Sequence, residues 1–271
     1  MPENVILTMK VVLLGTGDSP GTPVVGCHCR TCENARKYGW ERRRFSVMVE
    51  NEGKVLLIDT SPDLRYQLLR MNVERVEAVI WTHCHYDHFA GFGDFYRVQD
   101  DVVVYSSPEV HEDIGKYMDF MKYKAVEVES YEPFEVIGLK VTLVDVNHPP
   151  LRRSHGVVIE KDGIKVSISG DTNMHLSDEA IEAMSSPDLF VVEALAPPNF
   201  RFRKHMNAEE AMLLSKKLGA RRTVLTHMSH FFPPHSVVLK KWPAGHDFQK
   251  FEFGRGAKEV KEVNLESFFE D

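Results

Sequence analysis

Three imidazoles and one carboxylate stand within six residues in His83-Cys84-His85-Tyr86-Asp87-His88. Residues two apart in extended backbone share a face, so His83 and His85 can grip one cation together. Asp87 and His88 follow at a turn and can serve a second ion nearby. The run just before them, Ala78-Val79-Ile80-Trp81-Thr82, reads as a buried strand. The carboxyl end of a strand is where layered α/β folds usually gather their ligands. Later apolar runs end in matching donors: His148 after 140–146, Asp171 after 164–169 and His227 after 222–226. Five imidazoles and two carboxylates make a dinuclear set of nitrogen and oxygen donors. Such a set suits zinc, manganese or iron and disfavours copper or iron–sulfur centres. Two divalent ions about 3.5–4 Å apart acidify a water and neutralise charge on a phosphoryl or carbonyl oxygen. That is hydrolytic chemistry, and it does not by itself name a substrate.

A second cluster is Cys27-His28-Cys29-Arg30-Thr31-Cys32, three of the four cysteines in one short loop. A fourth ligand would complete a closed tetrahedral zinc site. His230 is the preferred fourth ligand, because it would tie this loop to the rim of the first cluster; His28 is the local rival.

The elements that must position these groups follow from the apolar pattern. Strands are expected over 10–14, 45–50, 54–59, 76–82, 102–105, 125–129, 134–137, 140–146, 155–160, 164–169, 189–193 and 222–226. Ser61-Pro62-Asp63 signals a helix start, with Leu64, Leu68 and Leu69 as its inner face. Ser107-Pro108, Ser177 and Asn207 open further helices, the last over 208–218 and ending at Gly219. No tandem repeat or linker divides the chain. The expectation is one domain over 1–271, two sheets packed face to face with helices outside, carrying the Cys-rich zinc loop at about 26–33. The tail from about Asp247 is expected to close a sheet edge.

The chain has 271 residues, 43% hydrophobic, with a net charge of −7. That charge argues against bulk attraction to nucleic acid or anionic membrane. There is no apolar run of membrane-spanning length. The opening residues lack a basic stretch followed by a long apolar core, so no secretory leader is expected and the cytoplasm is the expected location. Clustered cysteines in such a chain suit a metal site better than a disulfide framework. Arg42, Arg43 and Arg44 read as a solvated face. Arg152/Arg153 and Arg201/Arg203/Lys204 stand open between solvent and cleft. His155 reads as a satisfied structural histidine, His175 as surface, and Cys84 as a small packed apolar group. Gly15-Thr16-Gly17-Asp18 lacks the spacing of a dinucleotide loop.

The ordered set resembles the metallo-β-lactamase superfamily. The resemblance rests on the 83–88 motif followed by His148, Asp171 and His227, with Asp59 ending an earlier strand. It implies an α+β fold, the αββα sandwich of two mixed sheets with helices on the outer faces. It implies that His83, His85 and His148 hold one metal, that Asp87, His88 and His227 hold the other, and that Asp171 bridges them. Asp59 is implied to stand behind the histidines as a support rather than a ligand. The Cys-x-Cys-x-x-Cys loop after Gly-Thr-Gly, with His227-x-x-His230, looks like the PhnP-type phosphodiesterases. The segment 59–67 resembles that group too, whereas 91–97 is more aromatic than its pattern. By this resemblance the expected function is hydrolysis of small cyclic phosphates, phosphoribosyl 1,2-cyclic or nucleotide 2′,3′-cyclic, by water activated between two metals (zinc or manganese), with one structural zinc. His205 matches a position whose histidine reaches the phosphate or leaving group, so a general acid or phosphate contact is expected there. The expected partner is a small phosphodiester, not nucleic acid or membrane; a homodimer stays open. The alternatives are a quinone-cofactor-biosynthesis relative, a tRNA 3′-processing endonuclease, a lactone or thioester hydrolase, and a non-catalytic metal or redox sensor.

Overall fold

Alternating side chains explain why the strands are apolar on both faces. In the computed structural model, which describes residues 7–254 and 261–263, the first strand is β1 (Leu7–Gly15). Its Val11 and Leu13 point into one core and its Val12 and Leu14 into another. A period-two chain puts successive residues on opposite faces, so a strand covered on both sides needs apolar residues throughout.

β1 belongs to an eight-stranded sheet with β2 (Ser46–Asn51), β3 (Lys54–Ile58), β4 (Ala78–Ile80), β5 (Val103–Ser106), β6 (Lys124–Glu127), β13 (Gln249–Gly254) and β14 (Lys261–Val263). Its order is β14-β13-β1-β2-β3-β4-β5-β6, and the pairs from β3 to β6 are parallel. A six-stranded sheet holds β7 (Phe134–Val136), β8 (Leu139–Asp145), β9 (His155–Lys161), β10 (Ile164–Ile168), β11 (Leu189–Glu193) and β12 (Thr223–Thr226), in the order β12-β11-β10-β9-β8-β7. There β10, β11 and β12 run parallel. The inner faces meet in a core of Leu13, Val49, Ile58, Ile80, Leu143, Val157, Val166 and Val191, among others.

Helices cover both outer faces. α2 (Leu64–Arg70) and α4 (Pro108–Gly115) lie on the first sheet, packed over Leu57, Val79 and Trp81. α5 (Asp178–Met184) and α6 (Ala208–Leu218) lie on the second, over Phe190 and Val192. Short helices α1 (Arg30–Tyr38), α3 (Tyr86–Phe89) and α7 (His235–Val238) sit in connections. This is the αββα sandwich. α6 begins at Asn207, whose side chain accepts from the Glu209 and Glu210 N–H groups while Glu210 caps back, and it ends at Gly219 in the left-handed region.

Two expectations need correction. α2 starts at Leu64, not at Ser61-Pro62, because Ser61 Oγ is spent on the Asp63 N–H and on Gln67. Its inner face is Leu64, Gln67 and the partly buried Leu68, and Leu69 is exposed. The arginines 42–44 are not a solvated face. Arg42 is 2% exposed and donates to the Ser229 carbonyl, Arg43 pairs with Asp247, and Arg44 pairs with Asp63. They brace three segments around β1. Of the expected edge-closing tail, β13 lies antiparallel on β1 and β14 on β13; residues 255–260 and 264–271 fall outside the described residues. Among the described residues no helix is long and apolar enough to cross a membrane.

Candidate metal centre

Each chemical side chain sits where a strand stops. Asp59 follows β3, His83 follows β4, His148 follows β8, Asp171 follows β10, Glu193 ends β11 and His227 follows β12. His85 is the residue before α3, and Asp87 and His88 lie within it. The strand ends all open at one end of the sandwich, so side chains far apart in sequence meet.

Asp171 Oδ2 is the centre of the arrangement. Around it lie the Nε2 atoms of His227 at 3.3 Å, His88 at 3.4 Å, His83 at 3.8 Å and His148 at 3.9 Å. Asp87 Oδ2 lies 3.4 Å from His88 Nε2 and 3.6 Å from His227 Nε2. His85 Nδ1 is 3.0 Å from His83 Nε2 and 3.1 Å from His148 Nε2. Donor atoms of His83, His85, His148 and Asp171 form one set, and those of Asp87, His88 and His227 another.

The partners behind the rings decide which nitrogens carry hydrogen. Thr82 Oγ1 donates to Asp59 Oδ2 at 2.7 Å, so it accepts from His83 Nδ1 at 2.9 Å. The Lys204 carbonyl can only accept, so His148 Nδ1 donates to it at 2.9 Å. The Nε2 atoms of His83 and His148 are then bare lone pairs, and both face His85 Nδ1. One ring nitrogen can hydrogen-bond to at most one of them. His88 Nδ1 sits 2.6 Å from buried Asp59, and His88 Nε2 and both nitrogens of His227 are buried without hydrogen-bond partners. Converging lone pairs and orphaned nitrogens at buried carboxylates are what a cation pair would satisfy, so the residues fit one.

Electrostatics point the same way. Burial opposes charge on His88, yet Asp171, Asp87 and Asp59 raise its pKa well above the usual imidazole range. Burial likewise opposes charge on His227, but Asp171 and Asp87 lift it to about 9. Burial opposes ionisation of Asp171, and the charges of His227 and His88 nevertheless hold it well below the carboxylate range. His85, His148 and His205 are pushed down to about 4, first of all by burial. The buried carboxylates thus draw positive charge to His88 and His227, while burial first holds His83 neutral as well.

His205 lies beside this set, its ring 4.8 Å from His148 and 5.3 Å from His227. Its Nδ1 is 3.0 Å from Glu193 Oε1, which also accepts the Thr172 N–H. Its donor atom also comes within reach of Asp171 and His227. Burial first, and then the charge of Asp171, push the Glu193 carboxyl well above its usual pKa. Glu193 escaped the sequence reading. The available signal was a lone carboxylate ending the apolar run 189–192. Asp18 was missed too: it is 6% exposed with Oδ1 unpartnered, and burial raises its pKa against the opposing charges of His227 and His230. A cavity of about 380 Å³ opens beside His205, lined by Asn147, Asn173, His175, Phe202, Arg203 and Glu210. His175 thus faces the cavity mouth. Arg152 and Arg153 do not, being paired with Glu112, Asp113, Glu109 and Asp145. His155 is fully buried on Ser107 Oγ and Asp145, and Cys84 packs on the outer core.

The cysteine cluster is separate. His230 Nδ1 lies 3.3 Å from Cys27 Sγ and 3.6 Å from each of Cys29 and Cys32 Sγ. Backbone N–H groups of Cys32 and Val24 point at Cys29 and Cys32 sulfur. Burial opposes ionisation of Cys29, but the hydrogen bond from Cys32 N–H and contact with His230 bring it to about 6. Three sulfurs and one imidazole nitrogen at this spacing fit tetrahedral zinc. His28 turns away to Glu33 at 2.8 Å and is largely exposed.

A family model described as "Beta-lactamase superfamily domain" matches residues 54–228. A protein of Porphyromonas gingivalis named octanoyltransferase is 31% identical over 253 residues, 87% of this chain. The chain spans about half of that relative's length, 49%. Ribonuclease Z of Myxococcus xanthus is 23% identical over 254 residues, 69% of this chain and 82% of the enzyme. Among solved structures, a diphosphatase described as belonging to the PhnP family superposes with a TM-score of 0.81 at 26% identity, covering 94% of this chain and 100% of that one.

Proposed function

Since the chain belongs to the β-lactamase superfamily, we propose that it is a metal-dependent phosphodiesterase of the PhnP type, acting on small cyclic phosphates. The observation that carries this reading is the Glu193–His205 pair set between the donor cluster and the 380 Å³ cavity. Likeness to the PhnP-family diphosphatase and the Cys27/Cys29/Cys32/His230 cluster support it.

Bound divalent ions would supply Lewis-acid neutralisation of the phosphoryl oxygens and an acidified water. His83, His85 and His148 would hold one, Asp87, His88 and His227 the other, with Asp171 shared; zinc and manganese both suit these donors. Asp59 and Thr82 keep the His88 and His83 rings aimed. His205 handles the leaving group. When Glu193 holds the shared proton it donates to His205 Nδ1, and Nε2 then carries the hydrogen. As Nε2 gives that hydrogen to the departing alkoxide, Nδ1 takes the proton from Glu193, and one proton has moved along the pair. Burial first, and then the charge of Asp171, raise the Glu193 pKa and so favour the protonated carboxyl that this relay uses.

The test is turnover of a chromogenic phosphodiester by metal-reconstituted protein. His205→Ala is expected to keep its metal and lose about 10²–10⁴-fold in kcat, the usual worth of a positioned acid. His88→Ala is expected to lose both metal and turnover. Unchanged turnover in the two variants refutes the reading, as does turnover of lactones or thioesters with none of phosphodiesters.

A further inference from the structure

Beside the cavity, Phe200, Phe202 and Phe231 form a row of nearly parallel rings. Phe200 and Phe202 are 3° apart in plane with centroids at 6.3 Å; Phe200 and Phe231 are 10° apart at 5.0 Å. Elsewhere the fully buried Trp81 and Phe92 cross at 74°, while the half-buried Tyr105 and Phe134 stack at 16°. Offset-stacked and edge-to-face contacts are both geometries that rings settle into when they pack against each other. A parallel row that is partly open to solvent leaves a ring face for a further flat group. Phe231 is 47% exposed, and Phe200 and Phe202 are half-buried.

Phe202 joins this row to the reaction side, because it lines the same cavity as His205. Two polar groups share that lining. Arg203 is exposed and forms no ion pair among the described residues, and the Asn147 side chain is exposed and likewise free of a hydrogen bond. Glu210 is already committed to capping α6 and to Arg201. Asn173 holds the loop itself by donating to the Arg203 carbonyl. The far end of the row is fixed as well: the Phe231 ring lies 4.8 Å from that of His230, in the cysteine cluster. The row is therefore anchored at one end and open at the cavity end.

We propose that this row is a stacking shelf for a planar nitrogenous base, which makes Phe202 a specificity-determining residue and nucleoside cyclic phosphates the preferred substrates over baseless sugar phosphates. The proposal rests on the phosphodiesterase reading. Aromatic faces accept any base with little dependence on its edge pattern, so the shelf favours bases as a class. Arg203 and Asn147 face the ligand's polar groups.

The experiment compares adenosine 2′,3′-cyclic phosphate with the 2,3-cyclic phosphate of methyl ribofuranoside on zinc-loaded wild type, Phe202→Ala and Phe202→Trp. Both share the scissile group, and only one carries a base. Phe202→Ala is expected to raise KM for the adenosine substrate about tenfold. It leaves the baseless substrate unchanged, and Phe202→Trp restores the adenosine KM. Equal effects on both substrates, or on neither, overturn the shelf. So does a wild type that hydrolyses only the baseless compound, and in that case the phosphodiesterase reading stands. If neither compound is hydrolysed, the phosphodiesterase reading falls. Calorimetry with adenosine 3′-monophosphate then still reads the shelf: affinity lost in Phe202→Ala upholds it, and equal affinity overturns it.

Discussion

At the scale of the residue, the site is governed by what stands behind the ligands. Asp59 is fully buried and serves two histidines at once, His88 directly and His83 through Thr82. It sits in the left-handed backbone region at φ 62°, which an aspartate visits more readily than most residues. Replacing it with Asn keeps the shape and removes the charge. Asp59→Asn is expected to weaken metal binding about 10–100-fold, the usual worth of such a support. Competition with a chromogenic chelator measures this, and an unchanged affinity means that the charge of Asp59 is not needed to hold the His88 ring. Most candidate ligands stood out in the sequence because imidazoles are scarce and these cluster or follow apolar runs. Glu193 did not, since a lone carboxylate ending an apolar run marks a site only once its partner His205 is known to lie beside it. Asp18 was passed over with the glycine loop that carries it.

At the scale of the element, the strands were legible because a strand covered on both faces is apolar throughout. Helix starts were less so. Ser61 and Pro62 are a good opening signal, yet the serine hydroxyl is claimed by Gln67, and the helix begins three residues later. The arginines at 42–44 misled for a similar reason: consecutive positive charges suggest solvent, and only the fold supplies Asp63, Asp247 and the Ser229 carbonyl. The turn after α3 gives a sharper test. A Cβ on Gly91 would overlap the Ser61 carbonyl oxygen, whereas one on Gly93 meets nothing within 4 Å. The Gly91 N–H also donates to the Thr60 carbonyl, holding α3 and its ligands against the end of β3. Gly91→Ala is expected to destabilise the protein by about 1–3 kcal/mol in urea unfolding and to lower metal occupancy. Gly93→Ala is expected to do neither, and equal effects would mean that the close approach does not matter.

At the scale of the whole molecule, two candidate metal sites lie at one end of a sandwich and share a single segment. His227 belongs to the inner set, His230 to the cysteine cluster, and Met228 between them donates its N–H to Thr16 after β1. The full chain is expected to carry three ions. Cys29→Ser is expected to carry two, with a thermal midpoint roughly 5–10 °C lower, on a scale of about 2–4 °C per kcal/mol for a chain near this size. Elemental analysis with a melting curve measures both. Three ions retained, or an unchanged midpoint, would deny the cluster its role in holding the fold. Sequence spacing alone showed that three sulfurs lay together. The preference for His230 over His28 rests on tying that loop to the rim of the first cluster, and the structure brings His230 to the three sulfurs, 198 residues beyond Cys32, where the loops after β1 and β12 meet.

The backbone at His227 turns through φ 53°, in the left-handed region that residues other than glycine uncommonly adopt. The outer clamp at His230, three residues on, is part of what holds it. A change that loosens the outer cluster is therefore expected to be felt three residues upstream, where His227 presents its ring to the inner donors.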